Sequence, residues 1–366
     1  MAISTIGASA LDSGVSQLGK NLIINGAMAV DQRSGETRTG LGAATAYHID
    51  QWRYTPFGSP TGRFTLSRGT GLASLGFAYS HRIEVTTLDA ALAANAYYGV
   101  THYVEAQNLQ HLKYGTANAL SLTLSFAIVT DTTGPFTVMI IAPDGSRSYS
   151  TTVTVASADV AEIVSVTIPG DTGGTITNDT GRGFEVIITF AGGSDYVGGT
   201  QGSWGAEANN KYAAGMSSNM FDTNGNYFEF SGVQLEVGSV ATDFEHEDYG
   251  ETLRKCQRYF RRWTIQDASS QLFGAITMNS TTNAFMGPIA HPVEMRASPT
   301  ISLSNVGHVV VADGANGNRT CSAFTAHANA TAWTGQFTVA AGTTGGGYIY
   351  RDGPNDLLYF QFTVEL

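Results

Sequence analysis

The sequence predicts an all-β protein built from antiparallel sheets, and three observations support this fold class. Apolar and polar residues alternate with period two in many short runs, for example 119–126, 136–140 and 184–190. β-Branched and aromatic residues dominate these runs, and Gly, Pro, Asn and Asp separate them. Strands recur roughly every ten to fifteen residues, which is typical of β-sandwiches and jelly rolls, without the helical periods that link parallel strands.

The composition indicates a folded chain with an unusually neutral surface. The 366 residues are 42% hydrophobic but only 13% charged, against a usual charged fraction of about 25%. Ser, Thr, Asn and the 43 Gly must therefore form much of the surface. Such a surface suits an extracellular or virion-type protein better than a cytosolic metabolic enzyme.

Charge and cysteine content exclude several classes of partner and site. A net charge of -11 argues against nucleic acid as the main partner, because phosphate neutralisation requires a basic surface. No apolar run approaches the ~18 residues of a membrane span, so we expect no membrane insertion, and residues 1–20 show no export signal. Cys256 and Cys321 form neither a disulfide framework nor a zinc motif.

One segment, 248–264, departs from the strand pattern. Leu253, Cys256, Phe260 and Trp263 recur at helical spacing and predict one apolar stripe along an interface helix. Five basic residues lie between Arg254 and Arg262. They form either a solvated helix face or a contact with an acidic partner.

This helix divides the predicted domain organisation. Residues 1–20 are rich in Ser, Gly and Ala and are expected to form an anchoring arm, with Ile6 and Leu11 as its apolar contact points. A large β domain follows over 21–247, and the helix joins it to a small β domain over 265–366.

Several motifs carry a resemblance to a known family. They are NLIINGAMAVDQR at 21–33, YHIDQWR at 47–53, GVQLEVGSVATDFEH at 232–246, and MGPIAHPVEMRASPT at 286–300. In this order they resemble the virion fibre and tail-fibre-type proteins of bacteriophages and prophages, whose domain is a jelly roll similar to carbohydrate-binding modules. The resemblance covers about residues 19–263, and 286–300 is similar to a small C-terminal domain often appended in that group.

The resemblance implies a noncatalytic structural protein of a bacteriophage virion, made in the bacterial host cytoplasm. It also implies a homotrimer, other virion proteins bound to the arm, and host cell-surface polysaccharide as a partner. Two alternatives remain open: a capsid decoration or head-fibre protein, and a tailspike glycosidase.

Exposed aromatic residues are the candidate glycan-binding groups, because their rings stack on the apolar faces of sugars. Trp204 lies in a glycine-rich stretch with Tyr196 nearby, although a loop tryptophan also folds back to cap a core. Tyr348 and Tyr350 follow the glycine-rich segment 342–347 in the small domain, and this second pair is slightly preferred.

No motif for catalysis, a metal or a cofactor emerges from the sequence. Nucleophile elbows, zinc-protease motifs and phosphate loops do not occur. A glycosidase needs two opposed carboxylates, and nothing selects a pair from Asp50, Glu84, Glu105, Glu185 and Glu236. His48 and Asp50 lack a third metal ligand. The loop from Asp313 has Phe324 where a calcium loop needs Glu, so we predict a hairpin turn.

Overall fold

The chain forms two structural units. The structure is a computed structural model that describes residues 19–33, 37–42, 44–265, 272–313, 317–340, 342, 344–351 and 358–366. It divides between Tyr249 and Gly250, so that the first unit is Met1–Tyr249 and the second is Gly250–Leu366.

The first unit consists of antiparallel strands joined by loops and short 3-10 turns. Its described strands are β1 (Arg38–Leu41), β2 (Ala46–Tyr47), β3 (Arg53–Tyr54), β4 (Arg63–Gly69), β5 (Ser80–Thr87), β6 (Tyr97–Glu105), β7 (Leu122–Thr130), β8 (Gly134–Ala142), β9 (Arg147–Val155), β10 (Glu162–Ile168), β11 (Arg182–Gly192), β12 (Gly205–Ala206) and β13 (Tyr227–Val237). A one-turn helix, α1 (Ser194–Val197), follows β11. The 3-10 turns are Ala73–Leu75, Ala106–Leu112, Pro143–Gly145, Asn209–Lys211 and Met220–Asp222.

These strands form the two sheets of a jelly-roll β-sandwich. Sheet A has the order β1-β4-β5-β13-β7-β10, and sheet B has the order β12-β9-β8-β11-β6-β3-β2. Alternate residues point inward, so Leu124, Phe126 and Ile128 of β7 meet Val186 and Ile188 of β11 in one core. The prediction of an all-β jelly-roll sandwich is therefore confirmed.

Parts of both sheets are also covered on their outer faces. Ala127 and Val129 of β7 pack outside sheet A against Leu72 and Phe77. Met139, Ile141 and Ile187 are buried outside sheet B, where Tyr212 packs on them. For this reason β7 is buried at all nine positions, and its apolar sequence departs from strict alternation.

The second unit begins with a helix, α2 (Tyr249–Gln257), whose first residue still belongs to the first unit. Its described strands are β14 (Phe260–Ile265), β15 (Leu272–Met278), β16 (Asn283–Ala290), β17 (Thr300–Leu303), β18 (Val309–Asp313), β19 (Asn318–Ala328), β20 (Ala332–Val339), β21 (Gly345–Arg351) and β22 (Leu358–Thr363). One 3-10 turn, Val306–His308, precedes β18.

The second unit combines a closed barrel with a small sheet. The barrel order is β15-β16-β20-β19-β18-β21, and the sheet order is β14-β22-β17. Aromatic residues from both fill one core, with Phe360 of β22 fully buried among the rings of Trp263, Trp333 and Phe337. β18 and β19 pair as an antiparallel hairpin. Residues 314–316 of its predicted turn lie outside the described residues.

The predicted helix over 248–264 is wrong beyond Gln257. Leu253 and Cys256 lie on α2, but Phe260 and Trp263 lie on β14, which pairs with β22 from Phe260↔Thr363 to Ile265↔Leu358. Trp263 therefore packs through a sheet face, beside Phe360 at 5.5 Å between ring centroids. The partner strand lies about a hundred residues away, so the helical spacing in this segment was overridden by long-range strand pairing.

Candidate functional site

The chain enters and leaves the sandwich of the first unit at one place. The Asn21 side chain donates to the Val233 carbonyl at 3.0 Å and accepts from the Leu235 amide at 3.0 Å. The Asn21 amide donates to the Glu245 carboxylate at 2.9 Å. Segments 21–33 and 232–246, more than 200 residues apart in sequence, thus form one hydrogen-bonded structure, which we call the entry frame.

Glycines allow the close approaches inside the entry frame. A Cβ at Gly26 would clash with the Val233 carbonyl oxygen, and the Val233 amide donates to the Gly26 carbonyl at 3.0 Å. Gly232 has a positive φ of 60° and lies against the ring of Phe77. A side chain is excluded at both positions, so these residues of the motifs have a structural role.

The motif at 47–53 joins the same frame. The Asn25 side chain donates to the backbone carbonyl of Asp50 at 3.0 Å. The backbone carbonyl of Asn25 accepts a hydrogen bond from the indole N–H of Trp52 at 3.2 Å. The Asp50 carboxylate forms an ion pair with Arg33. Burial raises the pKa of Asp50 to about 6, and the nearby Arg33 guanidinium opposes that rise.

The last two residues of the predicted arm belong to this frame. Gly19 donates its amide to Glu245, and the Lys20 ammonium donates to the Asp243 carbonyl at 2.7 Å. The arm boundary at residue 20 is therefore corrected, because residues 19 and 20 contact the body of the first unit. Ile6 and Leu11 lie outside the described residues.

Trp204 caps the sandwich. Its indole N–H donates to the Pro169 carbonyl at 2.6 Å. The ring packs beside Tyr114 and Tyr149, with centroids 5.7 and 5.9 Å away. The prediction of Trp204 as an exposed sugar platform is therefore corrected, because its polar group and much of its ring are already engaged.

Tyr196 is not exposed either. It lies on α1 and is only 3% exposed, packed at 5.4 Å from Tyr97 and 6.1 Å from Tyr212 between ring centroids. Trp204 and Tyr196 pack on different rings, so the structure does not bring them together as one surface. Burial removes Tyr196 from the candidate glycan-binding residues.

Tyr348 and Tyr350 do lie on one face of β21. The residue between them, Ile349, points into the barrel core and is 0% exposed, whereas Tyr348 is 60% exposed. Opposite Tyr348 stand Ala275 on β15 and Ala312 on β18. These small neighbours leave the ring of Tyr348 open to a ligand.

The outer face of β21 continues beyond Tyr348. Leu272, also 60% exposed, lies opposite the half-buried Tyr350. At the other end, a Cβ at Gly346 would meet no atom within 4 Å. This apolar surface, made of Leu272, Tyr348 and Tyr350, is named the β21 face below.

A strip of polar side chains on the outer face of sheet B is not apparent from the sequence pattern. Arg53 donates to the Tyr103 hydroxyl at 2.6 Å, and Arg182 pairs with Glu185 at 2.7 Å. Both guanidinium groups flank the Tyr103 ring, at 5.9 and 5.6 Å from its centroid. Burial raises the pKa of Glu185, and Arg182 opposes the rise.

A β-bulge explains why period-two alternation did not reveal this strip. The register between β11 and β6 shifts between Arg182 and Phe184. Arg182 and Glu185 then share a face although they are three residues apart. The sequence alone therefore does not indicate that Arg182 and Glu185 lie on the same face, because it does not reveal the bulge.

Each of the five carboxylates from which the sequence selects no catalytic pair has a neighbouring partner, Arg33 for Asp50 and Arg182 for Glu185 among them. Glu84 pairs with Arg82 at 3.0 Å, Glu105 accepts from Gln107 at 2.6 Å, and Glu236 accepts from the Thr242 hydroxyl at 2.6 Å. Within the described ranges, no group of three or more His, Cys, Asp and Glu is placed to hold a metal ion. His48 stacks on His81, 5.3 Å away between ring centroids, while Asp50 binds Arg33.

Comparisons with known proteins identify only distant structural neighbours. No protein family and no curated protein matches the chain. The tailspike protein 4 enzymatically active domain of bacteriophage CBA120 superposes with a TM-score of 0.33 at 11% identity, over 60% of this chain and 22% of that one. TmCBM61 in complex with β-1,4-galactotriose superposes with a TM-score of 0.30 at 12% identity, over 60% and 99% of the two chains.

A third neighbour is the family 11 carbohydrate-binding module of the Clostridium thermocellum cellulase Lic26A-Cel5E, with a TM-score of 0.28 at 12% identity, over 57% and 99% of the chains. These three neighbours are thus two carbohydrate-binding modules and part of a phage tailspike chain, of which this chain matches less than a quarter. With TM-scores below 0.5, these likenesses carry no argument about function. Among the described residues, no helix is both long and apolar enough to span a bilayer.

Proposed function

We propose that this chain is a noncatalytic structural protein of a bacteriophage virion, of tail-fibre or spike type, that contacts glycan on the host surface. The observation that carries the proposal is the entry frame. The motifs that resemble phage fibre proteins, at 21–33, 47–53 and 232–246, meet there through the side chains of Asn21 and Asn25. Because these motifs lie far apart in sequence but form one hydrogen-bonded structure, they support the resemblance together, as parts of one framework, rather than as separate short matches.

In this proposal the arm joins the protein to the particle. Gly19, the first described residue, donates its amide to Glu245, so the proposed arm is connected to the first unit at the entry frame. Other virion proteins bind this arm, and copies of the chain assemble as a homotrimer within the virion. A capsid decoration protein would use the same arm, so the location of the protein on the particle separates the two functions.

The arm is tested by deleting residues 2–18, which leaves the Gly19 and Lys20 contacts in place. We expect the shortened chain to fold and assemble as the full chain does, while particles made with it lack the protein. Labelling of particles by an antibody in electron microscopy measures incorporation and also shows whether tail or capsid carries the protein. Incorporation at the normal level would refute the arm as the anchor.

The β21 face supplies the glycan contact. Tyr348 is open on both sides because Ala275 and Ala312 flank it, and an aromatic contact contributes roughly 0.5 to 1.5 kcal/mol beyond buried area. Each site therefore binds weakly, with a dissociation constant on the order of mM. Three copies and several fibres per particle raise the apparent affinity by a factor of ~10² to 10⁴.

The double variant Tyr348→Ala/Tyr350→Ala tests this contact. We expect particles carrying it to lose adsorption to host cells, while the melting temperature of the isolated protein stays unchanged. Tyr249→Ala is the matched control, because Tyr249 is equally open, at 58% exposure. Normal adsorption by the double variant would remove the β21 face as the receptor surface.

The glycosidase alternative is tested on the same particles. Glu185 is the carboxylate of the polar strip whose pKa is raised, first by burial and to a smaller extent by the charge of Glu207, against the opposing effect of Arg182. If wild type releases reducing sugars from host polysaccharide and Glu185→Gln does not, the protein is a glycosidase and the noncatalytic proposal is refuted. We expect no release with either protein.

A further inference from the structure

The second unit contains a groove of about 480 Å³ outside the β21 face. It is lined by residues 301–306, which comprise β17 and the start of the next 3-10 turn, and by Phe324 of β19. Ligand pockets in proteins measure roughly 300 to 1,000 Å³. The groove therefore has the size of a small-molecule site.

One wall of the groove is the free edge of a strand. In the described residues β17 ends its sheet, because it pairs with β22 alone. Ser304 donates its amide to the Tyr359 carbonyl of β22 at 3.0 Å, which places the backbone groups of Ser302 on the same side. Ile301 and Leu303 consequently direct their N–H and C=O groups away from β22, toward the open edge.

The floor of the groove is apolar and firmly held. The half-buried ring of Phe324 packs at 5.1 Å from Phe337 and 5.4 Å from Phe360 between centroids. The side chains of Ile301 and Leu303 pack against the same core. Ser302 stands exposed at the rim, and the lining residues carry no charge.

We propose that this groove binds an uncharged saccharide, one or two hexose units of a glycan chain. An apolar sugar face packs on Phe324, while sugar hydroxyls exchange hydrogen bonds with the backbone groups of Ile301 and Leu303 and with the Ser302 hydroxyl. The inference deepens the proposed function, on which it rests, by adding a second contact and naming a neutral sugar.

The groove favours a sugar over a peptide strand. Strand addition requires an edge along which a peptide can pair, and β17 has only four residues, ended by Pro299 and by the Val306–His308 turn. An acidic sugar is also disfavoured, because carboxylates are recognised by Arg or Lys and the lining provides neither.

The experiment uses the full chain and neutral trisaccharides of glucose, galactose and mannose as probes. Saturation-transfer NMR detects binding, and titration measures its dissociation constant. We expect one or more probes to bind in the mM range, and Ser302→Arg and Phe324→Leu to weaken binding at least tenfold. Thr264→Arg is the matched control for Ser302→Arg, since it places the same charge at an exposed position of the same small sheet.

Phe324→Leu can weaken binding indirectly by loosening the core. Ser302→Arg does not have this effect, because residue 302 is exposed, and it therefore tests the groove on its own. Binding that survives Ser302→Arg but is lost in Tyr348→Ala/Tyr350→Ala overturns the groove and leaves the proposed glycan contact standing. Absence of binding by every trisaccharide overturns the groove too, while particle adsorption still reports on the proposed function. Binding of an alternating Val/Thr hexapeptide, when no sugar binds, would overturn the saccharide proposal and show that the edge binds peptide.

Discussion

At the residue scale, the most informative side chains are polar or aromatic groups whose partners lie far along the chain. Trp204 was predicted as a possible exposed platform, and its actual partners, Tyr114, Tyr149 and Pro169, lie 35 to 90 residues away. Glycines around a tryptophan indicate a loop but do not indicate where the loop folds. The sequence pairs Tyr348 with Tyr350 only through the glycine-rich segment before them, and their shared face becomes apparent from the alternation of residues along β21.

The buried histidines of the first unit predict acid sensitivity. His81 lies fully buried between the rings of His48, at 5.3 Å, and Phe230, at 5.5 Å. In the described part of the chain neither of its ring nitrogens has a hydrogen-bond partner. Burial, and secondly the adjacent His48, lowers the pKa of His81 well below its ordinary value. Burial likewise lowers the pKa of His102 to about 4.

A histidine with a lowered pKa in the folded state binds fewer protons there than in the unfolded state. Its contribution to stability is therefore present at neutral pH and is lost as the pH falls below the unfolded value of about 6.5. For a fully depressed pKa the loss between pH 7 and pH 5 is about 2 kcal/mol per histidine. Asp50 acts in the opposite direction, because its pKa is raised to about 6 and protonation relieves the cost of its buried charge.

His81→Phe tests this expectation without breaking a hydrogen bond. Urea titrations measure the free energy of unfolding at pH 7 and at pH 5. We expect its decrease between the two pH values to be about 2 kcal/mol smaller in the variant than in wild type. His111→Phe, at an exposed position, is the control and should keep the wild-type pH dependence. An unchanged pH dependence in His81→Phe would show that the imidazole does not resist protonation in the fold.

At the element scale, strands were predictable where the sequence alternates, and elements decided by distant partners were not. The segment after Gln257 has helical spacing, yet β14 forms there because β22 offers Phe360 and Phe362 beside Trp263 and Arg261. The bulge in β11 and the outer covering of sheets A and B likewise depend on chain far away in sequence. Local sequence propensity does not predict elements that depend on such distant partners.

Phe360→Ala tests the importance of β22 for the second unit. The ring is 0% exposed and lies among Trp263, Phe324 and Trp333, so its removal should cost about 3 to 5 kcal/mol. Calorimetry should show a lowered transition for the second unit. Phe57→Ala, at a position 59% exposed, is expected to change stability by about 0.5 kcal/mol or less. A Phe360→Ala protein that melts like wild type would contradict the single aromatic core.

At the scale of the whole molecule, charge is distributed unevenly between the two units. The first unit has 11 Lys and Arg against 23 Asp and Glu, whereas the second has 8 against 7. The first unit therefore has a net charge of -12 and the second of +1, which together give the -11 of the chain. An acidic first unit repels anionic cell surfaces, so the charge distribution favours the second unit for the proposed glycan contact.

The last prediction is that the chain forms a trimer, and an edge strand of the first unit gives it a structural basis. Within the described residues β10 pairs with β7 alone, and Ile163 on it is 62% exposed. Proteins usually cover or charge such edges, and symmetric assembly is one way to cover them. Sedimentation of the full chain should give the mass of three copies, and Ile163→Lys should weaken this association. Leu88→Lys, at a loop position 46% exposed, is the control and should leave it intact. A stable monomer of the wild-type chain at micromolar concentration would show that the β10 edge is exposed in solution and would contradict the proposed trimer.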